Sequence, residues 1–291
     1  MVDVYQNIKA GERGAWVSII SYLILSSFKL TIGYLFLSSA LKADGLNNLT
    51  DIVASLAVLI GLKISRKPPD SDHAYGHFRA ETVAALIASF IMAMVGVQVL
   101  VDGVQSLFAG REESPALWTA GVAVLCAVVM YFVYRYNIKL SRQTGSQALK
   151  AAAKDNLSDA LVSIGAAVGI IGSQFGMPWL DIVAALAVGL IICKTAWEIL
   201  SESMHRLTDG FDEKELPGLR QTIESIDGVE HIKDIKARVN GSQTLLDVVI
   251  EVQPDLTIIE SHDITDEIEA KMEQVHNIRY VHVHVEPKNI K

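Results

Sequence analysis

Six apolar stretches recur over the first 200 residues, at roughly 16 to 38, 45 to 65, 82 to 108, 116 to 136, 148 to 175 and 179 to 200. Each is close to the ~20 residues that a helix needs to cross the hydrocarbon of a bilayer. The pattern predicts an all-α six-helix transmembrane bundle over residues 1–208. From Asp209 onward charge rises, and short alternating strands and amphipathic helices replace the long apolar runs, so residues 209–291 are expected to form a soluble domain. A hydrophobic content of 51% and a mean hydropathy of +0.33 agree with a membrane class.

The start, MVDVYQNIKAGERGAW, is polar and has no small-residue cleavage site, so the first stretch is expected to remain as an anchor. Cys126 and Cys193 fall inside apolar spans without Cys-x-x-Cys spacing and read as packing residues. The net charge of −8 is modest, and no basic run suggests nucleic-acid binding. Lys9, Arg13, Arg66, Lys67, Arg79, Arg135, Lys139 and Arg142 fall in loops on one side, against Lys42 and Arg111 on the other. By the positive-inside rule both termini face the cytoplasm and the C-terminal domain is cytosolic; the expected location is the cytoplasmic (inner or plasma) membrane.

Within spans that otherwise suit lipid, the fifth carries KDNLSDALVS, with Asp155 and Asp159 one helical turn apart on one face. The second carries Asn47 and Asp51 at the same spacing. Asp51 is 15 residues from Arg66, and Asp155 and Asp159 are 13 and 17 from Arg142. At about 1.5 Å per residue all three lie ~20 to 25 Å above the cytoplasmic edge, so two helices bring four oxygen-bearing side chains to one level. An aspartate at membrane depth costs ~2.5 to 3.5 kcal/mol on insertion scales, so a compensating cation or proton is expected. A divalent metal with four oxygen ligands fits. Helix capping, or pairing with Lys29 and Lys154, is the alternative for the same residues. In the loop after the second span, Asp70, His73 and His77 have a spacing that suits a transition metal, or simple hydrogen bonding at the membrane surface.

The second-span motif ADGLNNLTDIVASL, the fifth-span DNLSD, the loop DSDHAYGHFRAE, the six spans and the polar tail together resemble the cation diffusion facilitators, a family of divalent-metal exporters. The resemblance covers nearly the whole chain. It implies a transport site at Asn47, Asp51, Asp155 and Asp159, and a second, loop metal site at Asp70, His73 and His77. It also implies a charge interlock between Arg79 and Asp209. Zinc-selective members resemble this chain except for a histidine where Asp155 stands. Imidazole suits zinc and an all-oxygen set suits harder ions, so manganese is the expected substrate, with zinc, iron and cobalt as alternatives. No prosthetic group is expected; the metal is substrate, and a candidate regulator.

The tail reads as a helix over 213–226, strands near 231–239 and 244–253, a helix over 258–276 announced by the capping box of Thr257 and Glu260, and a last strand RYVHVHVEP. This order resembles the α+β, ferredoxin-like (metallochaperone-like) tail of the family, which dimerises, so a homodimer is expected. The resemblance implies a metal site at His262, His284 and Glu286. Lys233 and Val249 stand where zinc members carry histidine, which argues against a full two-metal cluster.

Moving a doubly charged ion out against an inside-negative potential costs about 4.6 kcal/mol per 100 mV, so export needs a coupled ion. Proton exchange at the same aspartates, by alternating access, is the expected solution. The chain is therefore read as a secondary transporter, a metal/proton antiporter and not an enzyme. An intramembrane metalloenzyme finds no His-Glu-x-x-His or nucleophile arrangement in any span. A membrane metal sensor with no transport is separated from a carrier by measuring flux.

Overall fold

The computed structural model describes residues 2–35, 39–109, 116–177 and 179–288. They form two compact units that divide between Ser203 and Met204. The first holds six helices: α1 (Val2–Leu35), α2 (Ser39–Ser65), α3 (Arg79–Ala109), α4 (Leu117–Thr144), α5 (Gln147–Gln174) and α6 (Trp179–Leu207), the last running a few residues past the division. Among the described residues, all of these helices except α2 contain a stretch long and apolar enough to cross a membrane. α2, 27 residues long and packed against both α1 and α3, is the sixth rod of the bundle. The chain is thus a multi-pass membrane protein.

Three helices outrun the apolar stretches that announce them by the widest margins. α1 starts at Val2 and not near 16, α4 continues to Thr144 and not 136, and α6 reaches Leu207 and not 200. Hydropathy marks where lipid ends, whereas a helix ends only where its i→i−4 ladder is broken. For α4 the break is Gly145, which enters the left-handed region (φ 69°) where a Cβ is penalised.

α1 packs on α2, α4 and α5, and α4 lies along α5. The buried face of α5 includes Ala148, Ala151, Ala152, Ala153 and Ala160, small side chains that let neighbouring backbones approach closely. Gln147, Lys150 and Lys154 of α5 bond to Ser203, Glu202 and Glu198 of α6, Lys150 at 2.8 Å and Lys154 at 3.0 Å. α3 and α6 meet at glycines: a Cβ on Gly96 would sit 2.7 Å from Cys193 Sγ, and one on Gly189 2.8 Å from Leu100. Cys126 is buried with Tyr22, Leu25 and Met130; both cysteines are free thiols in packing positions.

The second unit contains α7 (Leu216–Glu224), β1 (His231–Asn240), β2 (Gln243–Val252), α8 (Ile258–His276) and β3 (Tyr280–Pro287). β1 and β2 form an antiparallel hairpin closed by the two residues Gly241 and Ser242; β2 and β3 run parallel, giving the sheet order β1-β2-β3. This is a ferredoxin-like unit without its first strand, so the parallel pair that such a strand separates is here directly hydrogen-bonded. Leu246, Val248, Ile250, Val281, Val283 and Val285 face one way and join Leu219, Ile223, Ile268 and Met272 of the two helices in a single core. The other face carries His282 and His284 in the open.

The capping box read from the sequence is present. Thr257 Oγ1 accepts from the Glu260 N–H at 3.3 Å, and Glu260 Oε2 accepts from the Thr257 N–H at 2.8 Å. Thr257→Ala is expected to weaken the start of α8 by about 0.5–2 kcal/mol, seen as faster amide exchange over residues 258–262 of the full-length protein. The backbone N–H and then the hydroxyl of Thr257 hold the Glu260 carboxyl below its ordinary value. The sign follows: this contribution is present above the unfolded value and is lost as pH falls through the lower folded one. An NMR titration should find Glu260 ionising below a free glutamate, and Thr257→Ala should move it back up.

Candidate metal centre

α5 presents Asp155 and Asp159 one turn apart, and α2 brings Asp51 beside them. One carboxylate oxygen from each lies within 4.8 Å of the others. Asp51 and Asp159 are buried and Asp155 is half-buried. Asn47, the fourth residue expected here, lies in α2, but its side chain is outside the described residues. Its neighbour Asn48 is buried and donates from Nδ2 to Asp51 Oδ2 at 3.1 Å, while its Oδ1 accepts from Lys29 Nζ at 2.8 Å. Lys154 is engaged by Glu198.

Behind the α5 pair stands Tyr22 of α1, fully buried. Its hydroxyl donates to Asp159 Oδ2, has Asp155 Oδ2 at 3.3 Å, and accepts from Asn156 Nδ2 at 3.0 Å. Asn156 Oδ1 in turn accepts from Ser18 Oγ at 3.1 Å and from Asn137 Nδ2 at 2.9 Å. A closed polar network thus ties α1, α4 and α5 to the carboxylates, and α1 and α2 are tied through Lys29 and Asn48. Such outer partners fix the orientation of the groups in front of them. Sequence reading named Lys29 as an alternative partner of the aspartates but missed Ser18, Tyr22, Asn48, Asn137 and Asn156. The available signal was a polar stripe on α1, with Ser18, Tyr22, Ser26 and Lys29 at helical spacing.

The loop between α2 and α3 also brings its three residues together, with ligand atoms of Asp70, His73 and His77 within 4.8 Å of one another. Asp70 Oδ1 lies 3.1 Å from His73 Nδ1, and Asp70 Oδ2 lies 3.5 Å from His77 Nε2. Desolvation pushes the Asp70 carboxyl up, but the His73 N–H, the His73 ring and the Asp72 N–H together outweigh it and hold the group below its ordinary value. The carboxylate is therefore ionised and pointed at two imidazoles.

The tail residues do not converge within one chain. His262 stands on α8 at 3.8 Å from Asp266, and α8 packs on the sheet face opposite to His284 and Glu286. Glu286 is held by Lys233 Nζ at 2.5 Å, which lowers its carboxyl pKa. Val249 pairs with His284 in the β2–β3 register. Arg79 opens α3 in the first unit, and Asp209 sits in the turn after α6 in the second, with a left-handed φ of 60°.

Comparison with known proteins extends this picture over the whole chain. The family profile described as the cation efflux transmembrane domain matches residues 15–208, and that of the cation efflux protein cytoplasmic domain matches 211–288. The chain belongs to the cation efflux family. Among its relatives in this family is the manganese efflux system protein MneS of Bacillus subtilis, 59% identical over 98% of this chain and 99% of that protein. The uncharacterized transporter YdbO of the same organism is 52% identical over 98% and 99%. The manganese efflux system protein MneP is 34% identical over 95% and 96%. A cation efflux protein needs a place inside the bundle where a cation can exchange solvent for protein oxygen, and the Asp51–Asp155–Asp159 cluster has that chemistry.

Proposed function

We propose that the chain exports divalent cations, manganese foremost, from the cytoplasm in exchange for protons, as a homodimer working by alternating access. The observation that carries this reading is the convergence of three carboxylates from α2 and α5 inside the bundle. An all-oxygen donor set suits manganese better than zinc, and the naming of MneS and MneP as manganese efflux proteins points the same way. Zinc, iron and cobalt are the competing cargoes. Carboxylates that release a metal ion can accept protons in its place, which supplies the inward driving ion that export of a dication needs.

Asp51, Asp155 and Asp159, with Asn47, form the transport site in this reading, and Asp70, His73 and His77 form a second metal site in the loop. Arg79 and Asp209 act as the charge interlock. Both termini and the C-terminal domain face the cytoplasm, and that domain dimerises. Because His262 and His284 lie on opposite sides of one sheet, any metal held by His262, His284 and Glu286 is shared between protomers.

A strain lacking its metal exporters tests the cargo: expression should restore growth under excess manganese, and rescue from zinc, iron or cobalt alone would replace manganese as the substrate. In proteoliposomes, manganese flux that ignores an imposed pH gradient would rule out proton exchange. With the transport site removed by Asp155→Ala, the purified protein should still bind a transition metal in titration calorimetry. Adding His77→Ala should weaken that remaining binding; unchanged binding would exclude the loop site.

A further inference from the structure

α4 carries a row of side chains on one face, Val124, Val128, Tyr131, Arg135, Ile138 and Arg142, spaced alternately by four and three residues. Val124, Val128 and Tyr131 are exposed on the bundle surface. Towards the end of the helix the row opens into a hollow of about 530 Å³ lined by Tyr131, Tyr134, Arg135, Lys139 and Arg142, with Ile138 and Gln143. The Arg135 guanidinium donates to the Tyr131 hydroxyl at 3.4 Å. Elsewhere in the bundle Arg66 pairs with Glu12, Lys150 with Glu202 and Lys154 with Glu198. Arg135, Lys139 and Arg142 have no carboxylate at ion-pair distance among the described residues. Among the described residues, three cations within two helical turns thus lack a protein anion.

Depth says where that anion comes from. The eighteen residues from Leu117 to Tyr134 are free of charge and at 1.5 Å each span ~27 Å, close to the ~30 Å of a bilayer's hydrocarbon. Arg135 therefore falls at the hydrocarbon boundary, with Lys139 and Arg142 in the headgroup layer. Tyrosines prefer that level, and a guanidinium fork matches phosphate oxygens. We propose that this end of α4 is a binding site for an anionic phospholipid, whose phosphate and headgroup sit among Arg135, Lys139 and Arg142 while an acyl chain lies along Val128 and Val124. This does not depend on which cation the bundle carries.

Native mass spectrometry of the full-length protein, released from nanodiscs of equal phosphatidylglycerol and phosphatidylcholine, tests it. Retained phosphatidylglycerol should exceed phosphatidylcholine roughly 10-fold or more, and R135Q/K139Q/R142Q should bring the ratio near one. R135K/R142K should keep most of the preference. Parity in the unmodified protein, or a preference that survives the triple variant, would overturn the proposal. Displacement of the lipid by millimolar inorganic phosphate would overturn it in favour of a free-phosphate site. Should the triple variant fail to fold, R135Q and R142Q alone should each lower the ratio by roughly 5-fold, and an unchanged ratio in both would count as refutation.

Discussion

Asp155→Ala is expected to reduce manganese transport in proteoliposomes by more than about 100-fold, and Asp51→Ala to do the same. Loss of a residue that merely orients a metal ligand typically costs 10–100-fold in affinity, and loss of the ligand itself should exceed that. The cluster offers one carboxylate from α2 and two from α5, so either substitution leaves two acidic groups to hold a dication. Folding should survive. Without the Asp155 carboxylate, Tyr22 still donates to Asp159, and the Ser18–Asn137–Asn156 network behind it is untouched. Thermal unfolding of the purified variants separates the two effects: normal unfolding with lost flux is the expected pair of results, and full flux in both variants would sink the site. Asp155→His replaces a hard oxygen with imidazole and should move the metal preference towards zinc, read as zinc competing with manganese at lower concentration than in the unmodified protein.

Tyr22→Phe should raise the manganese concentration for half-maximal transport by about 10- to 100-fold while changing the maximal rate much less. The ring keeps its packing beside Leu25, Cys126 and Met130, so little apolar contact is lost. What disappears is one oxygen that donates to Asp159 and accepts from Asn156. Asp159 then loses the bond that fixes its rotation, and the buried Asn156 amide loses an acceptor, which costs about 1–3 kcal/mol of stability. A variant that is less stable but keeps its concentration dependence would show that the hydroxyl supports the fold and does not position the carboxylate. The split between affinity and maximal rate is therefore the informative measurement.

Much of this architecture is legible in the primary sequence because lipid imposes a strict length on apolar runs, and because three aspartates inside such runs demand an explanation. The matched depth of Asp51, Asp155 and Asp159 needed only a rise per residue. Asn48 was harder to see. It is adjacent to Asn47, and the four-residue spacing to Asp51 favours Asn47, although a residue three positions away shares that helix face equally well. Tyr22 was hidden for another reason: in a span, tyrosine counts as an interfacial or apolar residue until a partner helix is known to offer it carboxylates. That the tail triad is divided between two sides of the sheet within one chain depends on geometry that alternation along one strand does not contain. β3 directs His282 and His284 to one face correctly, yet nothing in the strand says that α8, with His262, covers the other.

The contrast between the two seams of α6 has a mechanical consequence. At its C-terminal end Glu198, Glu202 and Ser203 are fastened to α5 by two ion pairs and a hydrogen bond, whereas at mid-length it meets α3 through glycines, Cys193 and Leu100. Smooth surfaces slide past one another at little expense, while charged bolts do not. The α3 seam of this rod should therefore yield to sliding more readily than its C-terminal end on α5.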